Sequence, residues 1–147
     1  TSIETYFAEA EIATSRYSKF KEENGTHMRV AIIDTVGILA KLYKISKIAF
    51  VGGAFGSGVH NVMEPAAFAQ PVLFGPKHIN SYEACQLDHL MAAHTIHNEN
   101  EFEIIVEYLI TRDKLMEDKG KDARKFLLDN LGATQKTLSL MTEIGCF

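Results

Sequence analysis

Short apolar runs alternate with helix-like segments through the middle of the chain, and this alternation is the strongest constraint on its fold. The runs are short and rich in apolar residues, and they cover 29–33, 48–51 and 71–74, with 95–97 as a candidate fourth. Strands without a polar face are typical of parallel sheets that helices cover on both sides. We therefore predict an α/β fold with a parallel sheet flanked by helices.

The predicted helices lie before, between and after these runs. Apolar residues at helical spacing predict helices at about 5–21, 35–45, 61–69, 81–93, 101–110, 114–131 and 134–141. Asp34-Thr35 is predicted to cap the second helix, and Gly25 to end the first. No repeat or linker interrupts this pattern, so the 147 residues are predicted to form one domain, 1–147.

Composition excludes several classes of protein. A net charge of −4 provides no general attraction to a polyanion, so nucleic acid is not an expected partner. Cys85 and Cys146 have no neighbouring ligands at metal-binding spacing, so neither a zinc site nor a disulfide framework is expected, and a reducing cytoplasm is the simplest location. No apolar run approaches the roughly 18 residues that a bilayer crossing needs.

The chain begins at Thr1 in a predicted helix, which favours a piece of a larger protein.

A glycine-rich loop follows the predicted strand 48–51. Gly52, Gly53, Gly56 and Gly58 are four glycines within seven residues. Ligands of parallel α/β sheets bind beyond the carboxyl ends of the strands, where a glycine-rich turn before a helix can direct N–H groups at a phosphate. The alternative is a surface turn without a ligand, and glycines alone do not decide between the two.

The residues after the glycines allow two arrangements. Asn61 and Glu64 have the spacing of a capping box, in which both side chains only satisfy the start of the helix. Pro65 instead favours the first helical position, which would make Glu64 the cap and leave His60 and Asn61 in the loop. In that second arrangement Glu64 could accept hydrogen bonds from ribose hydroxyls.

The same segment carries a family resemblance. The blocks Ile-Asp-Thr-Val-Gly at 33–37, Leu-Tyr at 42–43 and Ala-Phe-Val-Gly-Gly at 49–53 precede Gly-Val-His-Asn-Val-Met-Glu-Pro-Ala-Ala at 58–67 and Pro-Val-Leu-Phe-Gly-Pro at 71–76. In order and spacing they resemble the C-terminal domain of bacterial 3-deoxy-D-manno-octulosonic acid (Kdo) transferases, over about 16–137. The resemblance implies a Rossmann-like sheet, the C-terminal half of a GT-B fold, and no cofactor.

The resemblance also implies a function and a donor site. It implies that this domain binds a CMP-Kdo donor and that the whole enzyme transfers Kdo to a lipid A precursor in lipopolysaccharide biosynthesis. Gly52, Gly53, Gly56 and Gly58 would line the donor crevice, Asn61 and Glu64 would contact the nucleotide, and His60 would lie beside them. Many members have serine where this chain has Ala54.

The remaining implications concern the other half of such an enzyme. An acceptor domain carrying the general base would precede Thr1, so no catalytic residue is assigned within this chain. That half would also make any membrane contact, at the inner face of the bacterial inner membrane. Three other classes remain: a GT-B enzyme that uses a UDP-sugar, a dinucleotide-dependent oxidoreductase, and a non-catalytic nucleotide-binding or interaction module. The oxidoreductase class lacks its usual glycine fingerprint after the first strand.

Overall fold

A computed structural model describes residues 2–19 and 28–145. The chain divides into two compact units, Thr1–Leu39 and Ala40–Phe147. Both contain parallel strands and helices, which confirms the predicted α/β class. None of the helices in the described ranges combines the length and hydrophobicity that a bilayer crossing requires.

The first unit is built around one pair of parallel strands. It contains helix α1 (Ile3–Glu9), strand β1 (Thr14–Arg16), a 3-10 turn (Tyr17–Lys19) and strand β2 (Val30–Ile32). Thr14 pairs with Val30, and Arg16 with Ile32. The Ser2 side chain accepts a hydrogen bond from the Thr5 N–H and caps α1.

The prediction of one helix over 5–21 was wrong. Helix α1 ends at Glu9, and Glu11 has a φ of 55°, which turns the chain before β1 begins. The short strand exists because it pairs with β2, and such distant pairing outweighs local helix propensity. Gly25, the predicted stop of this helix, lies outside the described residues.

The predicted cap at Asp34-Thr35 was also wrong. The Asp34 carboxylate accepts hydrogen bonds from the Ser18 hydroxyl at 2.7 Å and the Ser18 N–H at 3.1 Å. The Ser18 hydroxyl, followed by its N–H, lowers the pKa of Asp34. Helix α2 (Leu39–Tyr43) begins five residues after Asp34.

The second unit contains a three-stranded parallel sheet. Its strands β3 (Ala49–Val51), β4 (Val72–Phe74) and β5 (Ala93–Thr95) lie in the order β3-β4-β5. In register, Ala49 pairs with Val72, which pairs with Ala93. The first two match predicted strands, whereas β5 begins two residues before the predicted 95–97.

Up to residue 145, where the description of this unit ends, five helices follow β3. They are α3 (Met63–Ala67), α4 (Tyr82–His89), α5 (Glu99–Ile110), α6 (Asp113–Asp129) and α7 (Ala133–Glu143). Ser81 and Asn98 cap α4 and α5. The side-chain oxygen of each accepts a hydrogen bond from the backbone N–H three residues later. The long helices α5 and α6 agree with prediction within two residues at each end, because their apolar periodicity extends over several turns.

The central strand β4 forms the middle of the core. Val72, Leu73 and Phe74 are all 0% exposed. One sheet face packs with residues of α4 and α6, including Leu87, Ala123 and Phe126, and the other buries Leu73 against Ile96 and Leu109. The central strand is therefore buried and apolar on both of its faces, as its short continuous run predicted.

Candidate functional site

The glycine-rich loop, residues 52–60, leaves the carboxyl end of β3, as predicted. The segment 75–80 leaves the carboxyl end of the neighbouring strand β4. Because the two strands are parallel, both connections emerge at the same edge of the sheet. The Lys77 N–H donates to the Ala54 carbonyl at 2.9 Å, and the Val59 N–H donates to the Lys77 carbonyl at 3.0 Å. These bonds join the two connections into one polar edge.

Much of the loop's hydrogen bonding is internal. The N–H groups of Gly56 and Gly58 both donate to the Gly53 carbonyl, at 2.8 and 3.2 Å, and the His60 N–H donates to the Gly52 carbonyl at 3.1 Å. These three amides of the glycine-rich turn already hold the loop in shape. An anion would therefore be bound by other amides of the loop or would replace these bonds.

The His60 ring lies against the paired glycines. A Cβ on Gly53 would lie 2.9 Å from the His60 Cδ2 and Nε2 atoms and would also overlap the Gly58 carbonyl oxygen. Gly53 has a φ of 91°, a left-handed conformation that favours glycine. His60 itself is exposed. The structure thus brings Gly52, Gly53, Gly58 and His60 together and shows that Gly53 is required by the loop geometry itself.

Asn61 and Glu64 adopt neither of the two predicted arrangements. Helix α3 begins at Met63, with Val62 at the N-cap and Pro65 as its third residue. The Asn61 Oδ1 accepts from the Met63 N–H at 2.9 Å, and its Nδ2 donates to the Glu64 Oε1 at 3.3 Å. Asn61 therefore forms an Asx turn before the helix. Asn61 and Glu64 are both exposed next to His60 along the chain.

Sequence reasoning missed Asn80, which contacts the loop from the neighbouring connection. Its Oδ1 accepts from the Val59 N–H at 3.1 Å, and its Nδ2 donates to the Val59 carbonyl at 3.2 Å. The two residues are 21 positions apart, so no local pattern links them.

A cavity of about 360 Å³ lies away from the glycine-rich loop. None of its lining residues belongs to the loop: Leu90, Asp122, Lys125, Phe126, Asp129 and Asn130.

Several bacterial transferases are similar to this chain in sequence. The 3-deoxy-D-manno-octulosonic acid transferase of Haemophilus influenzae is 34% identical over 118 residues, which are 77% of this chain and 27% of that protein. The transferase of the same name from Aquifex aeolicus is 48% identical over 48 residues, which are 32% of this chain and 14% of that protein. This chain is a relative of the Kdo transferases. No family model matches the sequence.

A solved structure agrees on the fold. The C-terminal CMP-Kdo binding domain of WaaA from Acinetobacter baumannii superposes with a TM-score of 0.72 at 22% identity, over 83% of this chain and 64% of that one. The predicted resemblance to the C-terminal half of a GT-B fold is thereby confirmed. The chain spans about a quarter of the length of the Haemophilus transferase, 27%.

Ala54, where the family resemblance led us to expect serine, is a packing residue in this chain. Its side chain is 1% exposed and belongs to the core cluster that includes Val51 and Val59. A hydroxyl at this position would be buried under the loop and would need a hydrogen-bond partner there. The alanine therefore fits the apolar surroundings that this loop conformation creates.

None of the histidines that follow the loop lies in a metal-binding cluster. Within residues 2–19 and 28–145 there is no group of three or more side chains placed to hold a metal ion. His78 lies 3.9 Å from the Asp88 carboxylate through its Nε2, and Asp88 also accepts from the Thr95 hydroxyl at 2.8 Å. These contacts connect the segment after β4 to helix α4 and strand β5.

His94 is expected to make stability depend on pH. Its Nε2 is buried and has no hydrogen-bond partner among the residues that the structure describes. Burial and then Lys119 lower the pKa of His94, while Asp88 opposes them. The pKa of His94 is lower in the folded than in the unfolded state. Its contribution to the free energy of unfolding is therefore fully present above about pH 6.5 and is lost as the pH falls through the folded pKa. The loss cannot exceed about 1.4 kcal/mol per pH unit, the value for one proton.

Urea unfolding between pH 5 and 8 measures this effect. His94→Leu is expected to flatten the decline below pH 6.5, whereas His89→Leu, at an exposed position on α4, is expected to retain it. Equal pH dependence in wild type and His94→Leu would contradict a role for the buried ring.

Proposed function

We propose that this chain is the donor-binding domain of a GT-B glycosyltransferase that transfers Kdo from CMP-Kdo to a lipid A precursor in lipopolysaccharide biosynthesis. The observation that carries the proposal is the 34% identity to a Kdo transferase over 118 residues, a span long enough to include the glycine-rich loop. The position of that loop at the carboxyl end of a parallel sheet supports it, since this edge is where such sheets bind ligands. As in the sequence prediction, residues 1–147 act as one donor-binding domain.

The proposed donor site consists of Gly52, Gly53, Gly56, Gly58, His60, Asn61 and Glu64. The paired glycines form the floor that a sugar nucleotide approaches, and the exposed His60 ring borders it. Glu64 is held by the Asn61 amide at 3.3 Å, so its carboxylate is oriented to accept hydrogen bonds from ribose hydroxyls.

In the proposed reaction, a base on the other half of the enzyme removes the proton from an acceptor hydroxyl. The acceptor oxygen then attacks the anomeric carbon of Kdo, and the bond from that carbon to the phosphate oxygen breaks. CMP departs with the bonding electron pair. This chain's contribution is to bind and orient the donor and to place polar groups near the departing phosphate, a form of electrostatic stabilisation.

The acceptor and the membrane belong to the other half in this proposal. The chain alone is expected to bind the nucleotide and to catalyse no transfer. The acceptor, a lipid A precursor, places the complete enzyme at the inner face of the bacterial inner membrane. Membrane contact is assigned to the acceptor-binding half.

Calorimetric titration with CMP, UMP and NAD tests the proposal. CMP is expected to bind more tightly than the other two, and Glu64→Gln is expected to weaken CMP binding about tenfold. The amide keeps the size of the side chain but loses the charge that strengthens its hydrogen bonds. Glu117→Gln is the matched control, because Glu117 is an exposed residue of α6 paired with Lys121.

Each outcome of the titration has a distinct meaning. Preference for UMP would assign the chain to a GT-B enzyme with a UDP-sugar donor, and preference for NAD would assign it to dinucleotide chemistry. If Glu64→Gln binds CMP as tightly as the control Glu117→Gln does, Glu64 does not belong to the donor site. The Asn61→Ala variant, which releases both Glu64 and the Met63 N–H, is expected to weaken CMP binding as well.

A further inference from the structure

We infer that Asn80 is a positioning residue for the donor loop, acting on residues 58–60 without contacting the donor. This inference rests on the proposed function, since it concerns the same loop. Asn80 lies on the connection after β4, whereas the loop follows β3. It therefore links the two neighbouring connections at the carboxyl edge of the sheet.

Asn80 binds one residue of the loop through two hydrogen bonds. Its amide bonds both backbone polar groups of Val59, accepting from the N–H at 3.1 Å and donating to the carbonyl at 3.2 Å. Two bonds from one planar group restrain the rotation as well as the position of that peptide segment. Val59 is 5% exposed, so its backbone groups need such partners. The Lys77 carbonyl shares the Val59 N–H at 3.0 Å.

Asn80 also approaches Gly58 closely. A Cβ on Gly58 would lie 2.7 Å from the Asn80 Cγ and Oδ1 atoms, so the amide packs directly over the glycine. Gly58 also has a φ of 139°, which favours glycine. Both the close contact with Asn80 and the positive φ therefore require glycine at position 58. Asn80 therefore restrains two consecutive residues, Gly58 and Val59.

The restraint on Val59 reaches the proposed donor site through the next residue of the chain. His60 follows Val59 directly, and its ring lies against Gly52 and Gly53. Its N–H bonds the Gly52 carbonyl at 3.1 Å, so it closes the loop on itself. A displaced Val59 would move His60 and, through it, Asn61. The residues proposed to contact the donor thus depend on an asparagine 21 positions away from Val59.

Two substitutions separate the hydrogen bonds from the packing. Asn80→Ala removes both bonds and the side-chain volume. Asn80→Asp keeps the size and the acceptor oxygen but cannot donate to the Val59 carbonyl at neutral pH. Asn130→Ala is the matched control, because the Asn130 amide also bonds a backbone carbonyl, that of Phe126 at 2.8 Å, but at the end of α6.

The readouts are the Kd for CMP and amide hydrogen exchange in the complete chain. Both Asn80 variants are expected to raise the Kd about tenfold, the effect of losing one or two hydrogen bonds. Exchange at the Gly58 and His60 amides should accelerate about tenfold as well, while exchange at Leu73 in β4 stays at the wild-type rate. Asn130→Ala should leave both the Kd and the loop exchange unchanged.

Other outcomes overturn the inference. Wild-type Kd in either Asn80 variant would show that the donor site does not need this restraint. Acceleration at Leu73 equal to that in the loop would show a general loss of stability. If the wild-type chain binds no CMP, the proposed function fails, and exchange at Gly58 and His60 still decides whether Asn80 holds the loop.

Discussion

Replacing Gly120 with alanine is expected to lower the free energy of unfolding by about 2–3 kcal/mol. Gly120 is buried in the middle of helix α6, and a Cβ there would overlap the carbonyl carbon and oxygen of Ala69. Both atoms belong to the backbone just beyond α3, so no side chain can move aside. Alanine would normally gain about 1 kcal/mol over glycine in a helix, and the steric cost must exceed this gain.

The measurement is urea unfolding of Gly120→Ala beside Lys121→Ala. Lys121 is the adjacent exposed residue, and its ion pair with Glu117 is expected to contribute no more than about 0.5 kcal/mol. A Gly120→Ala protein more stable than wild type would mean that the Ala69 carbonyl does not pack against α6 at Gly120. Because the segment from Asn61 to Ala69 contains α3, which begins two residues after Asn61, this contact also helps to determine where the proposed donor residues lie.

The parts of the fold that could be predicted from sequence are those specified by local pattern. The runs at 48–51 and 71–74 are apolar throughout, and they appear as β3 and the fully buried central strand β4. The helices α5 and α6 repeat their apolar positions over several turns, so their ends agree with prediction within two residues.

The parts that could not be predicted depend on distant partners. Strand β1 has a sequence, Thr-Ser-Arg, that also tolerates a helix, and its pairing with β2 decides the outcome. Asp34 has the chemistry of a helix cap, but Ser18 supplies its hydrogen-bond donors instead. In both cases the deciding contact joins segments that are far apart in the chain.

The candidate site shows the same division. The glycine pattern identifies the loop, because a left-handed φ at Gly53 and Gly58 leaves a mark in the sequence. The partners of that loop leave none, since Asn80 is one of several polar residues in its segment. The spacing of Asn61 and Glu64 correctly indicates an interaction between them. However, Asn61 forms an Asx turn, so α3 begins one residue later than it would after a capping box.

Replacing Gly53 with alanine is expected to have the largest effect on the proposed site. Alanine would be strained at a φ of 91°, and its Cβ would contact the His60 ring at 2.9 Å and overlap the Gly58 carbonyl. We expect a loss of about 2 kcal/mol in the free energy of unfolding and a Kd for CMP at least about tenfold higher. Urea unfolding and calorimetric titration measure the two effects.

Gly52→Ala is the matched comparison, because it separates the shape of the loop from contact with the donor. A Cβ on Gly52 would lie 3.9 Å from the His60 Cδ2, an ordinary contact distance, so stability should change by no more than about 0.5 kcal/mol. Weaker CMP binding in a Gly52→Ala protein of normal stability would place the donor against this backbone. Normal CMP binding in Gly52→Ala would mean that the paired glycines serve only to form the turn at Gly53. A Gly53→Ala protein as stable as wild type would contradict the prediction that this turn requires glycine.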